Sequence, residues 1–252
     1  MLSRMQARNC RMIDLHCHLL PGLDDGSKNM AESLRLARFA IDNGITHAVM
    51  TPHITPGRYD NSLATITPVY TEFATELELH KLPLQISMAA EVRLDPIIIE
   101  MVESGSLPYL GEHDGYQVLL LEFPHDNIPP GSMDMVQWLI KRRIKPLVAH
   151  PERNRAVIRN INVLEPFIKS GCLLQITAGS LTGVFGQQPA KTVQQLLQRG
   201  WVSIMATDAH NLQTRPPELE AGRCMLAKIV GETESWQMVK ERPLQIAHKN
   251  FT

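Results

Sequence analysis

The sequence has little of several features that indicate other classes of protein. Only four of its 252 residues are cysteines. Cys10, Cys17, Cys172 and Cys224 are scattered and form no CxxC pair, which indicates reduced thiols and a cytoplasmic location. No apolar run approaches the roughly 20 residues of a membrane span, and the basic stretch Met1–Arg11 lacks the apolar core of a signal peptide. The net charge is −1, without a basic stripe that would indicate binding to nucleic acid or insertion at an anionic membrane.

Strand-type and helix-type segments alternate about seven times along the chain. Short apolar runs predict strands that begin at Met12 and then cover Ile45–Met50, Pro83–Ala90, Gln117–Leu121, Lys145–Ala149, Cys172–Ile176 and Val202–Ala206. Periodic apolar positions predict helices over residues 30–41, 64–81, 96–104, 133–143, 163–170, 190–199, 217–230 and 234–241. The alternation predicts an α/β fold with a parallel sheet and right-handed crossovers.

The ends of the predicted strands decide between two architectures. In an open doubly wound sheet only two or three strands reach the site at a switch point, whereas all strand C-termini of a barrel surround one mouth. Almost every predicted strand of this chain ends in a polar residue of the kind that binds metal. We therefore expect a barrel. We also expect residues 12–252 to form a single domain and Met1–Arg11 to be an extension outside the barrel.

The stretch Met12–Gly26 begins the predicted site. His16 and His18 stand two residues apart at the end of the first strand, before the turn residues of PG and DDG. Residues i and i+2 of a strand point to the same side, so both imidazoles can converge on one point. The same alternation places Cys17 on the opposite side.

Histidines and carboxylates end the later strands as well. The candidate metal ligands are His16, His18, Asp25, His53, Glu91, Glu122, His150, Asp208 and His210. Without cations, so many ionisable groups packed together would suffer desolvation and mutual repulsion. Imidazole and carboxylate together suit Zn, Mn or Fe, and nine groups are too many for one tetrahedral site. The pattern predicts two or three divalent metals with at least one bridging carboxylate.

Two arginines follow the predicted ligands closely. Arg153 lies three residues after His150, and Arg215 lies five residues after His210. A guanidinium can hold a phosphoryl group through two hydrogen bonds; Arg93 and Arg58 are weaker candidates for the same role. We infer hydrolysis of a phosphate ester, because paired ions lower the pKa of a shared water and the resulting hydroxide can attack phosphorus in line.

Seven segments carry a resemblance to a known family. They are DLHCHLLPGLDDG, TPHITPG, AAEVRL, LLEFP, AHPERN, ITAGSLTGVFG and TDAHNLQTRPP, in this order from Met12 to about Pro217. They resemble the metal-dependent protein-tyrosine phosphatases of the polymerase-and-histidinol-phosphatase (PHP) superfamily. More narrowly, they resemble the branch encoded with bacterial capsule and exopolysaccharide genes.

This resemblance implies a distorted, TIM-like (β/α)7 barrel with three metal ions, usually manganese or iron, although cobalt and zinc accept the same ligands. The first ion would be held by His16, His18, Glu91 and Asp208; the second by Glu91, Glu122 and His150; and the third by Asp25, His53 and His210. Arg153 and Arg215 match the family's phosphate-binding arginines, and Cys17 stands where serine is common. The implied substrate is phosphotyrosine in the tail of a partner tyrosine kinase that controls polysaccharide export.

Other classes remain to be weighed against this interpretation. In cysteine-dependent tyrosine phosphatases an arginine follows the nucleophile by six residues, and no cysteine of this chain has that spacing. A histidinol-phosphate phosphatase or a nucleotide phosphoesterase of the same superfamily needs nearly the same ligands. A binding subunit that has lost its chemistry is a third alternative. Asp25 or His53 is the candidate proton donor to the leaving group, and the sequence leaves the oligomeric state open.

Overall fold

The structure is a computed structural model, and it describes residues 12–251. Its strands are β1 (Met12–Cys17), β2 (Ile45–Met50), β3 (His53–Ile54), β4 (Gln85–Met88), β5 (Glu91–Arg93), β6 (Gly111–His113), β7 (Tyr116–Glu122), β8 (Ile144–Ala149), β9 (Leu173–Thr177) and β10 (Ile204–Ala206). Its α-helices are α1 (Met30–Asp42), α2 (Leu63–Leu79), α3 (Ile97–Glu103), α4 (Ser132–Lys141), α5 (Arg155–Arg159), α6 (Glu165–Lys169), α7 (Ala178–Thr182), α8 (Gln187–Gln198), α9 (Leu219–Val230), α10 (Glu232–Trp236) and α11 (Arg242–Ala247). Three 3₁₀ turns, Pro151–Arg153, Ile161–Leu164 and His248–Asn250, and a π-helical turn, Gln237–Glu241, complete the secondary structure of this range.

Parallel strands form a closed ring. β1, β2 and β4 form one sheet, and β3, β5, β7, β8, β9 and β10 continue the order in a second. β3 and β5 extend the paths of β2 and β4, so the two sheets are continuous. The ring closes where Asp208 N donates to His16 O and His18 N donates to Ala209 O, each at 2.8 Å. Seven strand positions therefore surround one axis, which confirms the predicted distorted (β/α)7 barrel.

Two departures from the predicted strands have local causes. Of the predicted strand Pro83–Ala90, only the part that forms β4 is a strand; its last two residues lie between β4 and β5, which begins at Glu91. An antiparallel hairpin of β6 and β7 is also present. Its turn residues Asp114 and Gly115 both have positive φ, 52° and 75°, as in the two-residue turns that Asp-Gly favours. That signal is present in the sequence, but the predicted strand begins only at Gln117.

The start of α1 illustrates how the sequence fixes an element. The Asn29 side chain accepts a hydrogen bond from Glu32 N at 3.0 Å, and Glu32 Oε2 accepts from Lys28 N at 2.9 Å. The first bond satisfies a backbone donor that a helix leaves unpaired at its first turn, and the second ties the residue before the cap to that turn. The cap sets the end of the acidic turn that follows β1 and so helps to position that turn at the barrel mouth.

Buried apolar side chains form two layers around the strands. A cluster drawn mainly from inward-facing strand residues, including Leu15, Val49, Leu120 and Leu147, fills the ring. Ile246 and Ala247 of α11 belong to the same cluster and cover the ring at the end opposite the strand C-termini. A larger cluster packs the outer strand faces against the helices. The filled interior leaves only the C-terminal mouth for polar groups, as in other parallel barrels.

Within residues 12–251, no helix combines the length and the apolar character needed to cross a membrane. The predicted extension Met1–Arg11 lies outside the described residues. The single-domain organisation of residues 12–252 stays a prediction.

Candidate metal centre

The nine sequence-predicted ligands meet at the C-terminal mouth of the barrel. Eight of them lie in or next to strands of the ring, and Asp25 lies in the turn that follows β1. The register of β1 against β2 shifts between Asp14 and Cys17, an irregularity of the kind that redirects side chains. His16 Nε2 and His18 Nε2 lie 3.2 Å apart, so the predicted convergence of the two rings is found in the structure. Cys17 belongs instead to the outer apolar cluster.

Glu91 lies at the centre of the group and is fully buried. Its Oε2 atom is 3.1 Å from His16 Nε2 and 3.0 Å from His53 Nδ1, while Oε1 is 2.7 Å from His150 Nε2. Oε2 also lies 3.4 Å from His18 Nε2. A single carboxylate that contacts four imidazoles has the geometry of a bridging ligand.

Asp208 connects the histidines to the arginines. Its Oδ1 atom lies 3.3 Å from both His16 Nε2 and His18 Nε2. Its Oδ2 atom pairs with Arg153 Nη2 at 2.7 Å and with Arg215 Nη2 at 2.5 Å. The two predicted phosphate-binding guanidinium groups therefore lie directly beside the predicted metal ligands.

Donor atoms converge in three sets, each within 4.8 Å. The sets are His16, Glu91, His150 and Asp208; His53, Glu91 and Glu122; and His18, His53 and His210. Asp25 Oδ1 lies 3.5 Å from His53 Nε2 and 3.6 Å from His210 Nε2, at the exposed edge of the third set. The sets overlap with, but differ from, the grouping implied by the resemblance, because His18 lies with His53 and His210 and because His53 belongs to two sets.

Hydrogen bonds on the far side of the rings favour metal binding. His16 Nδ1 lies 2.9 Å from Gln175 Oε1, an oxygen that also accepts from His150 N at 3.3 Å. His18 Nδ1 lies 2.7 Å from Asp24 Oδ2. Amide and carboxylate oxygens only accept, so each Nδ1 donates and each Nε2 of a neutral ring presents a lone pair. Two lone pairs that face each other at 3.2 Å repel, and a positive charge between them, a proton or a metal cation, removes that repulsion.

Several buried atoms around these rings lack a hydrogen-bond partner. They are His53 Nδ1, Glu91 Oε2, Glu122 Oε2, Asp208 Oδ1 and His210 Nε2. Neighbouring imidazoles and carboxylates lie close, but their geometry is not that of hydrogen bonds. Buried polar atoms without partners are costly, and five of the twelve such side-chain atoms among the described residues belong to predicted ligands. The donor set therefore fits divalent metal ions of the kind that accept nitrogen and oxygen.

Burial and neighbouring charges shift the pKa values of these groups in different directions. Burial and the charge of Glu91 raise the pKa of Glu122 to about 7, while burial and the neighbouring Arg153 lower the pKa of His150 to about 3. Burial opposes protonation of His18, but Asp24, Asp208 and Glu91 together raise its pKa well above the usual value. Carboxylates that favour a proton at that position favour a divalent cation in the same way.

Backbone strain coincides with two of the ligands. His150 has φ 31° and Asp208 has φ 53°, in the left-handed region that costs a non-glycine residue about 1–3 kcal/mol. His150 directly follows β8 and Asp208 lies two residues after the end of β10, and both side chains face the mouth. Such strain is common at functional sites, where the surrounding structure holds an unfavourable conformation.

The weaker arginine candidates differ in how close they lie to the predicted ligands. Arg93 Nη2 pairs with Glu122 Oε2 at 3.0 Å. Arg58 is exposed, with its guanidinium 4.9 Å from the Tyr59 ring centre. Tyr59 in turn stacks on His53, with ring centres 5.4 Å apart and an interplanar angle of 9°. Arg93 thus contacts a predicted ligand directly, whereas Arg58 lies one aromatic ring further out.

Sequence reasoning missed two residues that hold ligands in place. Asp24, the neighbour of the predicted ligand Asp25, accepts from His18 Nδ1, from His53 N at 2.9 Å and from Gly26 N at 2.9 Å. Gln175 is fully buried within β9. An amide inside the apolar run LLQIT is the signal that points to Gln175. The sequence DDG does not indicate which of its two aspartates contacts His18 and which contacts His53 and His210.

The closed parallel barrel and the imidazoles and carboxylates at its mouth place this protein in the class of barrel proteins with a metal site built from several ligands. Within that class, the chain belongs to the family described as capsular polysaccharide synthesis, CpsB/CapC, whose model matches residues 12–248.

Individual relatives agree with this membership. The tyrosine-protein phosphatase YwqE of Bacillus subtilis is 30% identical over 240 residues, which is 95% of this chain and 93% of the relative. The tyrosine-protein phosphatase CpsB of Streptococcus pneumoniae is 25% identical, over 93% of this chain and 98% of the relative.

Solved structures give the same result. A chain from the crystal structures of YwqE from Bacillus subtilis and CpsB from Streptococcus pneumoniae, described as unique metal-dependent tyrosine phosphatases, matches with a TM-score of 0.87 and 30% identity over 96% of both chains. The lactonase Lmo2620 from Listeria monocytogenes matches at 11% identity with a TM-score of 0.56, over 98% of this chain and 96% of that one. This second match concerns the fold alone.

Proposed function

We propose that this protein is a metal-dependent phosphomonoester hydrolase that removes phosphate from phosphotyrosine. The observation that carries the proposal is the convergence of nine imidazole and carboxylate side chains beside Arg153 and Arg215 at one barrel mouth. The relatives named tyrosine-protein phosphatases support the choice of phosphotyrosine. The lack of the cysteine–arginine spacing agrees with a reaction that uses no cysteine nucleophile.

The nine side chains would hold two or three divalent ions, with manganese favoured by the family resemblance and iron, cobalt or zinc compatible with the same donors. Glu91, which contacts four imidazoles, is the proposed bridge. Bound ions of this kind supply a water of lowered pKa as nucleophile and positive charge near the phosphoryl oxygens.

The chain's own residues orient and stabilise the substrate. Arg153 and Arg215 approach Asp208 from the mouth, where two guanidinium groups can hold phosphoryl oxygens and stabilise their charge in the transition state. Arg93, beside Glu122, is a third proposed contact. Tyrosine leaves as a phenolate, whose conjugate phenol has a pKa near 10, so little acid assistance is needed. Asp25 and His53 are the two candidate proton donors. Burial opposes ionisation of Asp25, but the adjacent imidazoles of His210 and His53 hold its pKa below the usual value, so His53 fits the role better.

The family membership supports a place for this activity in capsule or exopolysaccharide synthesis. The proposed partner is the phosphotyrosine tail of a cognate bacterial tyrosine kinase, met in the cytoplasm. Within this proposal residues 12–252 act as one phosphatase domain.

The test combines metal analysis with substrate comparison. The purified protein is assayed for bound transition metals and for turnover of a phosphotyrosine peptide, the matching phosphoserine peptide and histidinol phosphate. We expect metal to co-purify and the phosphotyrosine peptide to be preferred. Faster turnover of histidinol phosphate would assign a small-molecule phosphatase instead, and no metal together with no metal-restored activity would support a binding protein.

Two histidine variants complete this test. His150→Ala removes a contact to Glu91 and should abolish turnover while leaving the fold intact. His80→Ala, at the half-exposed end of α2, changes the same residue type far from the mouth and should leave turnover unchanged.

A further inference from the structure

A short loop beside the two mouth arginines presents apolar side chains. Gly183 and Gly186, with φ 89° and 83°, bracket Val184 and Phe185 between α7 and α8. Val184 N donates to Gly179 O at 2.9 Å, and Gly186 N donates to Gly183 O at 3.0 Å. The dipeptide Val184–Phe185, which we call the apolar rim, is therefore held in a hydrogen-bonded turn.

Gly179 allows this turn to lie against α7. A Cβ atom at that position would meet Phe185 Cε2 at 3.1 Å and Val184 Cβ at 3.3 Å, closer than side chains normally pack. The apolar rim is thus fitted to the helix beneath it, and its position next to the mouth is set by packing.

Phe185 adjoins both proposed phosphate-binding groups. The guanidinium carbon of Arg153 lies 4.7 Å from the Phe185 ring centre, and that of Arg215 lies 5.9 Å away. Both distances are within the range of cation–π attraction. The same two arginines contact Asp208, so the ring lies directly beside the place where a phosphoryl group would be held.

The apolar rim is partly exposed to solvent, and its packing against α7 does not account for this exposure. Val184 is 49% exposed and Phe185 is partly exposed, next to a mouth of charged and imidazole groups. A single exposed apolar side chain needs no explanation. Two together beside a polar site, however, suit a ligand with one charged end and one apolar body.

We propose that the apolar rim is a specificity-determining contact for the aromatic ring of the substrate, with Phe185 as its principal residue. The inference rests on the proposed function and adds the means by which an aryl phosphate is preferred to an alkyl phosphate. The arginines hold the phosphoryl group, and the ring of the substrate's ester packs on Phe185 and Val184. Aromatic pairs prefer edge-to-face or offset contacts, which a ring partly covered by guanidinium groups can still offer.

A purely structural role of Phe185 would give a different experimental result. If Phe185 only steadies Arg153 and Arg215, its loss weakens the binding of every phosphoryl compound equally. If it contacts the aromatic ring, its loss weakens only the aryl compounds. Phenylphosphonate and methylphosphonate separate the two cases, because they share a phosphorus group that resists hydrolysis and differ in the ring.

The experiment measures competitive inhibition constants of both phosphonates on the metal-loaded protein and on its variants. For Phe185→Leu we expect inhibition by phenylphosphonate to be about 5- to 10-fold weaker, which is the size of effect that the loss of one aromatic–aromatic contact produces. Inhibition by methylphosphonate should change less than about 2-fold. Phe185→Tyr keeps the ring and should retain the preference, and Val184→Ala should reduce it by a smaller factor. Leu79→Ala, at an exposed apolar position on α2, is the control.

Two results would contradict the proposed role of the apolar rim. One is an equal loss of affinity for both phosphonates in Phe185→Leu, which would mean that the ring only supports the two arginines. The other is an unchanged preference for phenylphosphonate over methylphosphonate in a Phe185→Leu protein that unfolds at the same temperature as wild type. Failure of the proposed function looks different: the wild-type protein would then hydrolyse no phosphotyrosine peptide at all, and the apolar rim would fall with it.

Discussion

Replacing Asp24 by asparagine tests whether a residue that binds no metal itself controls metal binding. Asp24 accepts three hydrogen bonds, from His18 Nδ1 at 2.7 Å and from the backbone nitrogens of His53 and Gly26 at 2.9 Å each. The carboxylate has acceptors for all three donors. Asparagine has one carbonyl oxygen, so its amide group must face at least one donor.

The expected magnitude follows from the bond that is lost. A hydrogen bond to a charged group contributes about 1.5–3 kcal/mol, and a tenfold change in an equilibrium constant corresponds to about 1.4 kcal/mol. Loss of the Asp24 contact should therefore weaken metal binding about 10- to 100-fold, in line with the usual effect of residues that orient a metal-binding histidine. His18 would be free to turn or to carry its proton on the wrong nitrogen.

The assay is competition between the protein and a chromogenic chelator for Mn²⁺ and for Zn²⁺. Asp114→Asn is the matched control, because Asp114 is 72% exposed in the β6–β7 hairpin, and asparagine tolerates its positive φ. An Asp24→Asn protein that is folded and binds both metals as tightly as wild type would refute the reasoning. So would an equal loss of affinity in the control.

Three further predictions use other parts of the structure. Arg215→Ala should raise the inhibition constant of inorganic phosphate about tenfold or more without loss of bound metal, and unchanged inhibition would remove that arginine from the phosphate site. Stripping metal with a chelator should lower the thermal unfolding midpoint, because ions bound only to the folded state stabilise it; an unchanged midpoint would contradict a metal-filled mouth. Burial raises the pKa of Cys172 to about 12, so the folded state keeps a proton that the unfolded state releases above about pH 8.5. Stability should fall as pH rises through that window, and wild type should lose about 2 kcal/mol more than Cys172→Ala between pH 7.5 and pH 10, measured by urea unfolding; parallel stability profiles would contradict this.

The sequence predicts the positions that lie along strands better than those in turns. A ligand-type residue at nearly every strand end predicts both the barrel and the common mouth, because parallel strands direct their C-termini to one side. Glu91, His150 and Asp208, which are distant in sequence, meet there as this rule requires.

What the sequence leaves open depends on side-chain direction. Asp24 and Asp25 are identical neighbours in a turn, and only the fold shows that one holds His18 while the other faces His53 and His210. The sets of converging donors are likewise fixed by rotamers and by the irregular register of β1, neither of which follows from spacing. Gln175 of β9 contacts the His16 side chain, two strands away in the ring, and the backbone nitrogen of His150, at the end of the neighbouring strand β8. No local sequence pattern indicates these contacts.

The bonds that close the ring between His16 and Asp208 and between His18 and Ala209 also set an order of events during synthesis. The first histidines leave the ribosome almost two hundred residues before the strand that completes their surroundings. A nascent chain that stops short of Asp208 holds two exposed imidazoles and no enclosure around them. Under the proposed function, metal binding would therefore depend on the last strand, and truncated products should bind metal ions poorly.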